Sequence, residues 1–162
     1  MQTIKQEEMP LEPRIDYGKV APEVVRAMLE LEHCVSNSGL EQSLLELVKT
    51  RASQINGCAY CLDMHTKDAR AAGETEQRLY LLPAWRETPF YTERERAALA
   101  WTEAVTNLSD GHVPNDVYEW ARSQFSEKEL VQLTLAVIAI NGWNRLAISM
   151  RAVPGTYRPK KG

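Results

Sequence analysis

"ELVKTRASQINGCAYCLDMHTKDA", residues 46–69, decides the fold of this 162-residue chain. Before Asn56, apolar residues recur at helical spacing, with Leu44, Leu45, Leu47, Val48, Ala52 and Ile55 forming a buried side. After Gly57 the period resumes through Cys61, Leu62, His65, Ala69 and Ala72, until Gly73 stops it. Asn56 and Gly57 both tolerate the left-handed conformation that closes a helix. The stretch therefore predicts a helix over 40–56, a tight corner, and a second helix over 58–72 with two cysteines in its first turn.

Cys58 and Cys61 are three residues apart and Cys61 and His65 four, so all three fall on one helical stripe. First-turn amides, including those of Tyr60 and Cys61, lack intrahelical acceptors and favour a thiolate over a thiol. Such a position brings a cysteine pKa from about 8.5 toward neutrality, and the spacing permits a reversible disulfide. The same residues also read as an ordinary buried helix face. A structural zinc would need four ligands, and the further candidates are His33, Cys34, His112 or a carboxylate, none in a second CxxC or HxxxH pair. By period alone Glu46 lies off the Leu44-Val48-Ile55 stripe and reads as a solvated residue beside Lys49 or Thr50.

Outward from this core, helical periodicity continues and alternating strand patterns are absent, so the fold class is all-α. Residues 1–19, with Pro10 and Pro13, read as an extended arm. Pro22 opens a helix to about Cys34, which "SNSG" terminates. A short helix follows Thr75, then the loop "PAWRETPFY". Thr92 with Glu95 is a capping box for a helix to about Leu108, Pro114 starts another to about Gln124, and Ser126 with Glu129 caps a last, very apolar helix in which Gly142 is expected to kink or interrupt. The chain reads as a single domain, 1–162, with no repeat or linker.

With 44% hydrophobic residues the chain can bury a core without a metal or disulfide staple. Its net charge of −3 and scattered Lys and Arg make nucleic acid a poor partner. Its start lacks the pattern of an export signal, and its longest uninterrupted apolar run, Leu135 to Ile140, is far below the roughly 20 residues of a membrane span, so a cytoplasmic, membrane-free protein is expected. Three cysteines do not make a disulfide framework; in a reducing compartment a close pair is more often catalytic or metal-binding.

The stretch from Glu46 to Ala69 resembles the core of the AhpD-like alkylhydroperoxidases in the carboxymuconolactone decarboxylase family: Glu, eleven residues, CxxC, three residues, His. Glu46, Cys58, Cys61 and His65 match every position, and looser similarity extends from about Arg14 to Met150, as in single-core members. The resemblance implies a helical bundle and a thiol-dependent peroxidase acting on alkyl hydroperoxides. It casts Cys61 as the peroxidatic cysteine, Cys58 as the more exposed resolving one, and Glu46 with His65 as a proton relay. It further implies a dithiol or thioredoxin-like reductant, a homo-oligomer, often a trimer or hexamer, and no cofactor or metal. The chain has Tyr60 where the best-known two-core member has a histidine; a phenol titrating near 10 is a weak shuttle at neutral pH, so Tyr60 is read as a pocket residue. An alternative use of the same motif is a redox sensor or disulfide-exchange protein with little peroxidase turnover.

Elsewhere, His33 reads as a helix C-terminal histidine, Cys34 as a packed inert thiol and His112 as a solvated loop residue. Trp85, Phe90, Tyr91, Trp101 and Trp143 read mainly as core or contact residues. Asn144 and Arg145 break the apolar pattern of the last helix, which places them near the site or at an interface.

Overall fold

The computed structural model describes residues 12–159. Eight α-helices follow in chain order: α1 (Tyr17–Val20), α2 (Pro22–Ser36), α3 (Gln42–Asn56), α4 (Ala59–Ala71), α5 (Glu76–Leu81), α6 (Glu93–Thr106), α7 (Asn115–Gln124) and α8 (Glu127–Met150). Two 3₁₀ segments, Leu82–Glu87 and Leu108–Asp110, flank α6, and the described residues contain no strand. The all-α expectation holds. Both capping boxes form, Thr92 with Glu95 at α6 and Ser126 with Glu129 at α8, each satisfying two amides that the helix cannot. Of the arm expected over 1–19, residues 1–11 lie outside the described residues; residues 17–20 are helical rather than extended, because the Asp16 side chain accepts from the Lys19 amide and caps the turn.

α3 is central. It packs on α4, α6 and α8, and its residues from Leu44 to Thr50 are all buried. One core joins Leu44, Leu45 and Val48 of α3 to Ala97, Ala98 and Trp101 of α6 and Leu133, Ala136 and Val137 of α8. The small alanines let these helix axes approach. A second core gathers Leu47, Leu82, Trp85, Tyr91 and Leu99 beneath the segment after α5. A third is built from Ala52, Cys58, Cys61, Ile140 and Ala147, where α3, α4 and α8 meet.

By length and composition α8 meets the size of a membrane span. Its apolar residues are largely taken up in packing against α2, α3 and α6, with Val131, Ile138 and Ile148 left exposed. The kink expected at Gly142 is absent: α8 runs unbroken for 24 residues. A Cβ at this position would lie 2.9 Å from the Met28 methyl of α2, the far end of a flexible side chain that can move aside.

Candidate active site

The corner between α3 and α4 turns at Gly57, whose φ of 68° is the left-handed conformation glycine adopts without strain. The Cys58 amide donates to the Ser53 carbonyl, closing α3, and α4 begins one residue later than the sequence suggested, at Ala59. Cys58 is thus the N-cap. Its sulfur accepts the Cys61 amide at 3.4 Å and lies 2.7 Å from the Cys61 sulfur.

This placement divides the two thiols. The hydrogen bond between the two sulfurs, with the amides of Cys61 and Tyr60 and the Asn144 carboxamide, favours charge on Cys58 against the cost of burial and lowers its pKa to about 7. Cys61 moves the opposite way, raised by its hydrogen bond with Cys58, by burial and by the neighbouring Cys58 charge. The expectation that Cys58 is the more exposed of the two is corrected: both are 1% exposed, and within this close pair the Cys58 thiol is pushed down and the Cys61 thiol up. The cap position decides it, since the N-cap side chain, not that of the third helical residue, faces the free amides.

Antiparallel packing of α3 on α4 brings Glu46 to His65, with Glu46 Oε2 3.1 Å from His65 Nδ1. Glu46 is 5% exposed, so its sequence reading as a solvated residue fails; the period gives the side of a helix but not what packs there. Burial opposes its charge, yet the His65 hydrogen bond, the neighbouring His65 and Lys49 and a 2.7 Å bond from Gln42 outweigh it and hold the carboxyl below its usual value. Lys49 is itself buried and paired with Glu32 at 2.8 Å. A carboxylate can only accept, so Nδ1 carries the hydrogen and Nε2 the lone pair. Nε2 is buried without a protein partner and is the position open to a proton in transit.

Asn144 is the neighbour the sequence flagged without placing. Completely buried, it donates to Ser53 Oγ at 3.0 Å, accepts from Asn56 at 2.9 Å, and favours the charged form of both cysteines. Asn56 also donates to Asn141, tying the corner to α8. Tyr17 and Tyr157 were not anticipated. Burial, with Tyr60 and both cysteines nearby, raises the Tyr17 pKa; burial and the 2.7 Å bond its hydroxyl donates to Asp68 raise that of Tyr157. Both belong to segments without strong helical periodicity, so no pattern pointed to them.

Tyr60 lines a cavity beside Cys58, as expected of a pocket residue. Trp143 packs partly buried against the cysteine cluster, while Trp85, Tyr91 and Trp101 fill core and Phe90 is exposed. His33 ends α2 and His112 is an exposed loop residue, as read. Cys34 is exposed, not packed, because α2 turns Val35 inward instead. Glu46, His65 and Asp68 present ligand-type atoms within 4.8 Å of one another, with two already joined in the Glu46–His65 bond. Among the described residues, neither cysteine forms such a cluster with His33, Cys34 or His112.

Residues 22–104 match the model of the carboxymuconolactone decarboxylase family. The chain belongs to that family. An uncharacterized protein of Bacillus subtilis, YdfG, is 44% identical over 137 residues, spanning 85% of this chain and 93% of its own. A crystal structure from Agrobacterium tumefaciens, of a protein of unknown function described as an antioxidant defence protein AhpD, superposes with a TM-score of 0.87 at 46% identity, covering 90% of this chain and all of that one. The AhpD core of a peroxidase-related protein from Ralstonia eutropha gives 0.76 at 19% identity, over 89% and 77% of the two chains, and shows the shared fold alone. These likenesses support an AhpD-like enzyme related to antioxidant defence.

Proposed function

We propose that this family member is a thiol-dependent peroxidase that reduces organic hydroperoxides through the Cys58/Cys61 dithiol, with Glu46 and His65 as its proton relay. The observation that carries the reading is two sulfurs 2.7 Å apart at a helix N-terminus, with a buried histidine one turn further along the same helix and paired with Glu46 of α3. A thiolate attacks the O–O bond and becomes a sulfenic acid, and the second thiol condenses with it to a disulfide, releasing water. The second thiol must lose its proton, and the released alkoxide must gain one. His65 accepts at Nε2 while Glu46 stabilises the imidazolium at Nδ1.

A cavity of about 350 Å³, lined by Glu46, Ser43, Glu74, Arg78 and Glu95 among others, reaches the acid end of the relay and offers protons a way to solvent. An external dithiol, small or thioredoxin-like, reopens the disulfide through a mixed disulfide. The exposed apolar residues of α8 suit a homo-oligomer, trimeric or hexameric in our reading, working in the cytoplasm without metal or cofactor.

The test is mass spectrometry of the reduced protein after one equivalent of cumene hydroperoxide. Loss of two hydrogens, absent from Cys58→Ser and Cys61→Ser, supports the peroxidase. Thiols that stay reduced overturn it and leave a disulfide-exchange or sensing role for the pair.

A further inference from the structure

Asp68 stands one turn beyond His65 on α4, and a carboxylate oxygen of Asp68, a ring nitrogen of His65 and a carboxylate oxygen of Glu46 all lie within 4.8 Å of one another. The relay proposed above assigns nothing to this second carboxylate. Asp68 receives a hydrogen bond from beyond the last helix: the Tyr157 hydroxyl donates to its Oδ1 at 2.7 Å. Burial, that bond and the nearby charges of Asp68 and Glu46 hold the phenol protonated well above its ordinary range, so it stays a donor through neutral and mildly alkaline pH.

Tyr157 reaches this place because the chain turns back at the end of α8. Arg151 takes a left-handed conformation, φ 55°, and the Ala152 amide closes the helix on the Ala147 carbonyl. The segment then crosses α4 on two ties to the backbone: the Gly155 amide donates to Asp63 at 2.9 Å, and Lys67 donates to the Tyr157 carbonyl at 3.2 Å. Lys67 and Asp63 are themselves paired at 2.8 Å. Both ties engage main-chain atoms and would form whatever side chain stood at position 157. The third bond is different in kind, since it needs the phenol and ends on the carboxylate beside the relay.

A proton taken up by His65 puts a positive charge between two carboxylates, one bonded to Nδ1 and one within 4.8 Å. Glu46 and His65 are each 5% exposed, so little water screens these charges, and an anion fixed at that distance stabilises the imidazolium. Glu46 repels a second carboxylate so close to it. A charge-assisted hydrogen bond from Tyr157 holds Asp68 in place against that repulsion. We infer that Asp68 and Tyr157 are positioning residues of the relay: the C-terminal segment brings a hydroxyl that fixes the Asp68 carboxylate, and this carboxylate stabilises His65 while it carries the proton. The inference rests on the peroxidase reading above and deepens it. Asp68 and Tyr157 neither give nor take a proton in the reaction; they act on His65 through charge and orientation.

The experiment follows a single oxidation, which separates the chemistry from the later reduction. Reduced protein, with Cys34→Ser as background because Cys34 is exposed, is mixed with increasing excesses of cumene hydroperoxide, and disulfide formation is timed by acid quench and mass spectrometry. Asp68→Asn keeps the shape and removes the charge; it should lower the maximal rate about tenfold and leave the half-saturating concentration within about twofold. Tyr157→Phe keeps the ring and should lower the maximal rate about threefold. The double variant should be no slower than Asp68→Asn alone, because the hydroxyl acts through that carboxylate. Asp63→Asn and Lys67→Met cut the backbone ties of the same segment and should leave the rate within about twofold. Urea midpoints establish that each variant is folded.

Losses in Asp63→Asn and Lys67→Met equal to that in Tyr157→Phe would make the tyrosine a mere anchor and overturn the inference. An unchanged rate in Asp68→Asn, or losses that multiply in the double variant, would overturn it as well. In each of those outcomes the parent still oxidises and the peroxidase reading stands. A parent whose thiols stay reduced removes that reading, and this inference with it.

Discussion

Glu46 and Glu103 are two glutamates on packed neighbouring helices, α3 and α6, the first buried and the second half-buried, and both carboxyls are held below their usual value. Glu103 accepts from Arg51 at 2.9 Å and from the Trp85 indole at 2.8 Å, and pairs with Arg86. None of those donors gives up a proton near neutral pH, so its charge is fixed and its work is to join α3, α6 and the segment after α5. Glu46 instead meets a histidine whose other nitrogen has no partner. The two carboxylates differ in their partners: Glu103 faces only guanidinium and indole N–H groups, whereas Glu46 faces an imidazole with a free second nitrogen, the feature on which the proposed relay rests.

The largest expected effect breaks this comparison if it fails. Glu46→Gln should lower cumene hydroperoxide turnover by about 10²- to 10³-fold, the range for loss of assisted proton transfer, whereas Glu103→Gln should leave it within about twofold. Steady-state rates with a saturating dithiol decide the matter, and similar losses in both variants would make the distinction empty. Next comes the mirror image. Glu103→Gln leaves Arg51 and Arg86 without their anion and should cost about 3 kcal/mol in urea unfolding, against about 1 kcal/mol for Glu46→Gln. For both carboxyls the folded pKa is depressed, so the stability they contribute is present above about 4.5 and lost as pH falls through the lower folded values.

A third measurement concerns the thiol end. With Cys34 replaced by Ser, iodoacetamide labelling of Cys58 should rise with a midpoint near pH 7, against an ordinary value of 9.0; Asn144→Leu should move that midpoint up by about one unit. The same shift makes the reduced protein gain stability relative to Cys58→Ser as pH rises from about 7 to about 9, and lose it as pH falls through 7. A constant difference across that window would show the thiolate is not held by the fold. The smallest effect sharpens the picture of Glu46: Gln42→Leu removes one orienting hydrogen bond and should slow turnover only about threefold.

Much of this was legible in the chain because the signals were local. Asn56-Gly57, the two capping boxes and the apolar periods of α3, α6 and α8 are each written within a few residues, and the helices formed where those signals placed them. What escaped depended on how helices cross. Glu46 and Lys49 look solvated until α4 and α2 are laid against α3, Gly142 looks like a break until Met28 is seen above it, and Asn144 is a stray polar residue until the corner is packed beneath it. The assignment of charge between the cysteines turned on a single position: with the helix beginning at Ala59, the free amides address Cys58.

The cap has a further consequence, for the energetics of electron transfer. A capping contact is worth about 1 kcal/mol, and here it is made by a group whose charge exists only while the pair is reduced. In the proposed reaction, oxidation to the disulfide would remove that charge, so α4 would be better capped in the dithiol form than in the disulfide. For a two-electron couple that preference corresponds to about 20 mV toward a more oxidising potential, a bias that eases each regeneration by the reductant. The helix that presents the cysteines thus also tunes how readily they accept electrons back.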